Sequence, residues 1–225
     1  MKKIILIVLV IIVVIGLIFG GATIWAMNSN KRLNINNFQV SSLTSKNVEL
    51  KNPTKVDLAI QTAYLNVQSG DKTELKMDNV SKDQYQITEQ NDLLRVSEKD
   101  AQKHQTKLGK SPVLTLIVPQ KTLESLQIDQ LNGTVKLNNL KIGQLNIDHA
   151  NGTTIAKDLT LLDSSRLTKK NGKTTFTGLK VTGLQVNVKN GQFKLNGKKQ
   201  QNNYRQNGNE PLIIDSNNGQ VSVTN

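Results

Sequence analysis

Leu184-Gln-Val-Asn-Val-Lys-Asn190-Gly191-Gln-Phe-Lys-Leu195 holds the pattern on which this chain is built: apolar and polar residues alternate, Asn-Gly intervenes, and the alternation resumes. The phrase occurs five times. The other copies are Leu126 to Leu137 around Asn132-Gly133, Leu145 to Ala156 around Asn151-Gly152, Leu167 to Phe176 around Asn171-Gly172, and Leu212 to Val223 around Asn218-Gly219. Successive Asn-Gly pairs are 19, 20, 19 and 28 residues apart. Period-two alternation marks strands that bury one face.

Two folds satisfy the phrase. Asn-Gly between alternating runs is a strong hairpin signal, because a type I′ turn needs positive φ at both central residues. Ile128 would then face Leu137, Val186 would face Leu195 and Ile214 would face Val223, giving a β-meander or sandwich. In the other fold each Asn-Gly is a corner of a parallel β-helix or solenoid, with glycine taking the left-handed conformation. The asparagines then stack about 4.8 Å apart, within reach of amide hydrogen bonds along the axis. The even steps favour the solenoid, since stacked coils must match in length and hairpin loops need not. Its interior would hold Leu126, Ile128, Val135, Leu137, Leu145, Ile147, Leu167, Phe176, Leu184, Val186, Phe193, Leu195, Leu212, Ile214, Val221 and Val223. Thr153-Thr-Ile-Ala156 fits this spacing worst.

Upstream, Val56–Ile60, Ala63–Val67, Glu74–Met77, Tyr85–Ile87, Leu93–Val96 and Val113–Val118 read as short strands, and 99–111 as a hydrophilic loop. The coils are expected to begin after Pro119, which cannot donate to a ladder. From Ile4 to Met27 the chain is apolar and uncharged. About 20 apolar residues cross a bilayer, so this stretch predicts a retained anchor rather than a cleaved signal. The organisation is therefore 1–27 cytoplasmic stub and transmembrane anchor, 28–47 polar tether, and 48–225 strand-repeat domain. Lys2 and Lys3 nearly balance Lys31 and Arg32 across the membrane. The short basic start, typical of export signals, favours a cell-membrane location with the domain extracytoplasmic.

The net charge is +12, and about +10 without Lys2 and Lys3. Such a surface attracts anionic wall polymers or headgroups. No basic helix interleaved with aromatics points to nucleic acid, and aromatics are 4% of residues. The absence of Cys excludes disulfides and thiolate sites. His104 and His149 are isolated and read as surface residues, so the sequence implies neither metal nor cofactor. Asp129, Asp148 and Asp215 occupy equivalent coil positions, with Thr168 and Asn187 in the other copies. Glycoside hydrolysis uses two carboxyls about 5–9.5 Å apart, which makes a polysaccharide-active enzyme using Asp129 and Asp148 the rival reading. The broken column and missing aromatic subsites favour a structural role.

The run Val113-Leu-Thr-Leu-Ile-Val-Pro119, then Leu123-Glu-Ser-Leu126, then Asn-Gly coils near 20 residues, together with Ala63-Tyr-Leu-Asn-Val-Gln-Ser-Gly-Asp71, resembles the bacterial putative-adhesin family of β-strand-repeat envelope proteins. LiaG-type membrane-anchored members are similar in layout. The resemblance spans about 48–225 and implies a right-handed β-helix-like fold, an envelope location and no catalytic residue.

The long fourth step contains a polar excursion, 196–211, whose Lys198, Lys199, Tyr204 and Arg205 form the candidate contact loop. The last copy, ending at Asn225, has no cap and is expected to leave an open edge for self-association. The expected protein is a non-catalytic, membrane-anchored binding or scaffold protein, adhesin-like or an envelope-stress accessory. It would contact the bilayer through 4–27 and an anionic polymer or membrane protein through its domain.

Overall fold

The computed structural model describes residues 2–119 and 122–224. Helix α1 (Lys2–Asn28) precedes β1 (Lys31–Asn34), β2 (Gln39–Ser42), β3 (Thr44–Glu49), β4 (Lys55–Gly70), β5 (Glu74–Val80), β6 (Tyr85–Gln90), β7 (Leu93–Glu98), β8 (Lys107–Gly109) and β9 (Val113–Pro119). The repeats follow as β10 (Leu123–Leu161), β11 (Ser165–Thr177), β12 (Gly183–Leu195), β13 (Lys198–Gln200), β14 (Asn203–Gln206) and β15 (Pro211–Thr224).

At the Asn-Gly of each of the five copies the chain bends and continues instead of reversing, so the hairpin alternative fails there; only Asn196-Gly197, between β12 and β13, makes a hairpin turn. The copies lie side by side in parallel with Asn against Asn and Gly against Gly: Asn151 pairs with Asn171, Asn171 with Asn218 and Asn218 with Asn190. The result is an all-β, solenoid-like stack. It begins earlier than Pro119, because β4 is itself a coil, parallel to β10, with Thr62-Ala63 opposite Asn132-Gly133.

The order of coils is not the order of the chain. β15, the last copy, lies between β11 and β12 and pairs in parallel with both. The expected open edge at the last copy is therefore absent: both sides of β15 are hydrogen-bonded, and Asn225 lies outside the described residues. Instead β12 faces outward, and the 196–211 excursion folds back over it. β13 and β14 pair antiparallel with the two halves of β12. At the opposite end β7 and β9 continue the two halves of β4 in parallel, and antiparallel β6, β5 and β3 follow. Both ends of the parallel stack are thus closed by short antiparallel strands, a standard protection against edge-to-edge pairing.

The interior is the expected set, with Leu195 half-buried. In the second copy the inward residues are Thr154 and Ala156, which accounts for its poor apolar spacing.

The corner sets this register. Gly133, Gly152, Gly172, Gly191 and Gly219 have φ between +115° and +149°. A Cβ on Gly172 would lie 1.9 Å from the Gly152 carbonyl oxygen, and one on Gly219 1.8 Å from that of Gly172. Glycine is needed both for its backbone angle and for the close approach. Beside it runs an amide ladder. Asn190 donates to Asn218 (2.9 Å), Asn218 to Asn171 (2.8 Å), Asn171 to Asn151 (2.7 Å), Asn151 to Asn132 (3.0 Å), and Asn132 to Thr62 Oγ1 (3.3 Å). A second left-handed residue follows four of the five first corners, at Asn139, Asp158, Gly178 and Asn196, the last of these in the hairpin turn to β13.

Residues 28–47, expected as a polar tether, are folded. β1 and β2 form a hairpin that pairs through β1 with β8, and β3 joins the large sheet. Arg32 is buried and donates to the carbonyls of Asn79 and Lys110 and to Gln84 Oε1. Gln84 in turn donates to the buried Glu98, which also pairs with Lys107 at 3.2 Å. Three carbonyl-type acceptors, taking four hydrogen bonds, and a relayed carboxylate hold the guanidinium, so these polar residues are drawn in by hydrogen bonding.

Gly172→Ala is expected to destabilise the protein by about 3 kcal/mol or more through strain and overlap. Asn171→Ala, which removes two ladder bonds, should cost about 1–2 kcal/mol. Denaturant midpoints of the two variants test this ranking; equal losses would mean the corner imposes no steric demand.

Candidate functional site

The corners divide each coil into two strands with different outward chemistry. Before the corner, the outward column reads Asp148, Thr168, Asp215, Asn187 in adjacent strands, with Asp129 beneath Asp148 in β10 and paired with Ala59 of β4. Gln127, Asp129, Asn146, Asp148, Arg166 and Thr168 line a shallow depression of about 180 Å³. Burial raises the Asp129 pKa, as do the neighbouring Asp148 and Asp57, while a hydrogen bond from Gln127 opposes the shift. Asp215 is held by Arg166 (2.6 Å) and Asn187 (2.8 Å), and Asp57 by Arg95 (2.9 Å). The two arginines of this face are therefore engaged in cross-strand pairing, while Lys170 and Lys189, next to their corners, are exposed. Among the described residues no group of three or more His, Cys, Asp or Glu could hold a metal.

After the corner the outward residues carry no carboxylate. Segments 62–68, 134–138, 153–157, 173–177, 192–195 and 220–224 contain no Asp or Glu, and the bases there are Lys136, Lys157, Lys173 and Lys194. Their side of the stack continues onto β13, where Lys199 sits directly opposite Lys194. Lys136 also lies over the Tyr64 ring, 5.4 Å from its centroid.

Inside the stack, polar residues accumulate just before the corner. His149, Lys169 and Ser216 occupy one inward column, facing Thr154 and Thr174, and all five are buried. His149, expected at the surface, is thus interior, as is Lys169, which is 1% exposed. Their residues share the parity of the apolar positions: Lys169 follows Leu167 by two and His149 follows Ile147 by two, a signal that their polar character masks. Lys169 Nζ lies 2.7 Å from His149 Nδ1 and 3.3 Å from Thr154 Oγ1, and His149 Nδ1 lies 2.9 Å from Thr154 Oγ1. With the ammonium donating, Nδ1 is the acceptor. Burial pushes Lys169 down to about 7, and burial together with the adjacent Lys169 pushes His149 down to about 4. His149 Nε2, Thr174 Oγ1 and Ser216 Oγ have no hydrogen-bond partner. His104 is exposed in the loop after β7.

The candidate contact residues Lys198, Lys199, Tyr204 and Arg205 all lie on β13 and β14. Tyr204 turns inward and packs on Phe193, their ring centroids 5.3 Å apart, whereas Lys198, Lys199 and Arg205 are exposed. The excursion is thus a lid over the last coil, pinned by one aromatic pair.

A stack of parallel strands with glycine corners defines a β-strand-repeat protein. The chain belongs to the Toastrack DUF4097 family, whose model matches residues 53–225. No curated protein matches the chain. Among solved structures, a putative cell adhesion protein from Clostridium sporogenes is 12% identical, with 81% of this chain and 99% of that one covered and a TM-score of 0.64; this likeness is one of fold. A putative adhesin from Bacteroides fragilis (12% identity, 82% and 97% covered, TM-score 0.32) and a putative lipid binding protein from Parabacteroides distasonis (10%, 81% and 94%, 0.35) are more distant.

The buried pair makes stability depend on pH. In the folded chain Lys169 gives up its proton near pH 7, whereas an unfolded lysine keeps it to about 10.5. Between these values the unfolded state binds more protons, so stability rises with pH. Below about 6.5 His149 adds a slope of the same sign, down to about 4. Lys169→Met should remove the slope above pH 7 at little cost or with a gain in stability; thermal midpoints from pH 7 to 10 measure it, and an unchanged slope would locate the titration elsewhere.

Proposed function

We propose that this is a single-pass, extracytoplasmic binding or scaffold protein of the bacterial cell envelope that acts without catalysis. The observation that carries the reading is the junction between α1 and the domain. The helix is 27 residues long, with a mean hydropathy of 3.4 in its most apolar window, and extends about 40 Å, enough to cross a bilayer core of about 30 Å. By length and composition it fits an anchor or a signal sequence. Its end is built into the domain: Ala26 is fully buried, a Cβ on Gly109 would meet it at 3.5 Å, and Lys31 lies over the Trp25 ring at 5.3 Å. A segment destined for removal has no need to pack against the mature fold, and the packing favours a retained anchor. With Arg32 buried a few residues on, the stack stands directly on its helix, in the layout of LiaG-type proteins. A right-handed coil is part of this reading, the sense taken by nearly all crossovers between parallel strands. The names of the structural neighbours, adhesins and a lipid binding protein, agree with a binding role.

The rival enzyme would use Asp129 and Asp148, which lie on adjacent strands. Their face is open and shallow, without aromatic subsites, and the third aspartate of the column is neutralised by Arg166. Protease added to intact cells should degrade the domain while α1 stays in the membrane fraction; protection from protease would place the domain inside and overturn the reading. Asp129→Asn/Asp148→Asn should leave envelope glycans unchanged in size, and loss of a turnover present in the parent protein would establish the enzyme instead.

A further inference from the structure

The segregation of charge between the two outward faces specifies a partner. Before the corner, the face carries Asp57, Asp129, Asp148 and Asp215, and its Arg166 and Arg95 are paired with two of them, with only Lys170 and Lys189 exposed beside the corner. After the corner, Lys136, Lys157, Lys173 and Lys194 form no ion pair among the described residues, and no acidic residue exists on those segments to provide one. Lys194 and Lys199 even stand directly opposite each other across β12 and β13. Like charges in that position destabilise a sheet unless an anion lies between them.

We infer that this lysine face binds a linear envelope polyanion, a flexible chain with one phosphodiester charge per repeat unit. The inference rests on the extracytoplasmic placement proposed above and names its ligand class. The geometry matches such a chain. Counting the two coils of β10 separately, Lys136, Lys157, Lys173, Lys194 and Lys199 occur on five of the six consecutive coil strands from β10 to β13, only β15 lacking one. At about 4.8 Å per strand they span about 24 Å along the stack. The heads are compact ammonium charges without a fixed fork, which suits singly charged phosphodiesters at variable register better than a bidentate guanidinium would. Tyr64 is the one aromatic residue on the face, so the face provides no row of rings for stacking bases or sugars. The β4 corner adjoins the anchor junction through Thr62 and Gly109, and from there the strip runs outward over β10, β11, β15 and β12 to β13. Its far lysines, Lys194 and Lys199, lie several strand steps from the junction, more than the Debye length of about 8–10 Å, which favours a soluble polymer over the bilayer surface as partner.

The full chain, reconstituted in nanodiscs of zwitterionic phosphatidylcholine, is titrated with labelled poly(glycerol phosphate) at 50 and 200 mM salt. Four lysine contacts should weaken binding about 50-fold between these concentrations, taking the single-strand counterion coefficient. Lys136→Gln/Lys157→Gln/Lys173→Gln/Lys194→Gln should weaken binding at 50 mM salt at least about tenfold and flatten the salt dependence. Lys46→Gln/Lys51→Gln/Lys82→Gln/Lys99→Gln removes the same charge from exposed lysines elsewhere and should change affinity less than about threefold. Circular dichroism confirms folding, and Lys173→Glu serves as a single-site variant if the quadruple one is unstable. Equal losses in the two quadruple variants would reduce the effect to net charge and overturn the proposal. Capture of phosphatidylglycerol vesicles in place of polymer would overturn it in favour of a lipid surface. Absence of polymer binding refutes the ligand class alone, because membrane placement and lack of turnover are measured separately.

Discussion

Glycine at the first corner is the constraint on which the stack depends. Each coil brings its corner carbonyl to a point where the next coil can have no side chain. The backbone angle there belongs to a region that β-carbon-bearing residues avoid. Once five glycines are in line, five asparagines are in line beside them, and their amides form a continuous ladder ending on Thr62. The apolar columns two and four residues away then have no freedom of register, because a shift of one residue would move every side chain to the other face. Core, corner and outward faces all follow from one column of missing β-carbons.

The same rigidity explains how the interior tolerates His149 and Lys169. A flexible core would let a lysine reach water, but here its stem is fixed between coils and its amine can only find His149 and Thr154. Two bases in contact and away from water are not both charged, so His149 stays neutral above about pH 4 while Lys169 gives up its proton near pH 7. Replacing it with apolar groups would be compatible with the fold. Its presence gives the stack a dependence on proton concentration that an all-Leu column would lack.

Much of this was legible in the sequence. The Asn-Gly steps announced coils, the parity of Leu and Val gave the core, and Ile4–Met27 announced the helix. The order of the coils was hidden, because Asn218-Gly219 meets the same corner requirements anywhere in the stack and nothing local distinguishes an outer from an inner copy. β4 escaped recognition as a coil since Thr62-Ala63 replaces Asn-Gly at its corner. The second corner was missed because Asn139, Asp158, Gly178 and Asn196 share a conformation but no residue type. Residues 28–47 read as a tether because the pairing partners of their strands, β8 and β5, are distant in sequence and their hydrogen bonds are largely backbone and Arg32-mediated. The lysine face was visible in composition but not as a face, since that depends on which strands are neighbours.

The position of β15 bears on how the chain can be made. A solenoid whose coils stack in the order of synthesis can grow like a column of bricks, each new coil finding the previous one complete. Here β12 emerges before the strand on which it must rest, and β11 keeps one bare edge until the final copy arrives. Residues 211–224 act as a wedge between them, so until they dock the stack holds two unfinished edges. A fragment lacking that copy is a stack with a gap in it, and the cell has a simple physical criterion, two exposed strand edges, by which an incomplete molecule differs from a finished one.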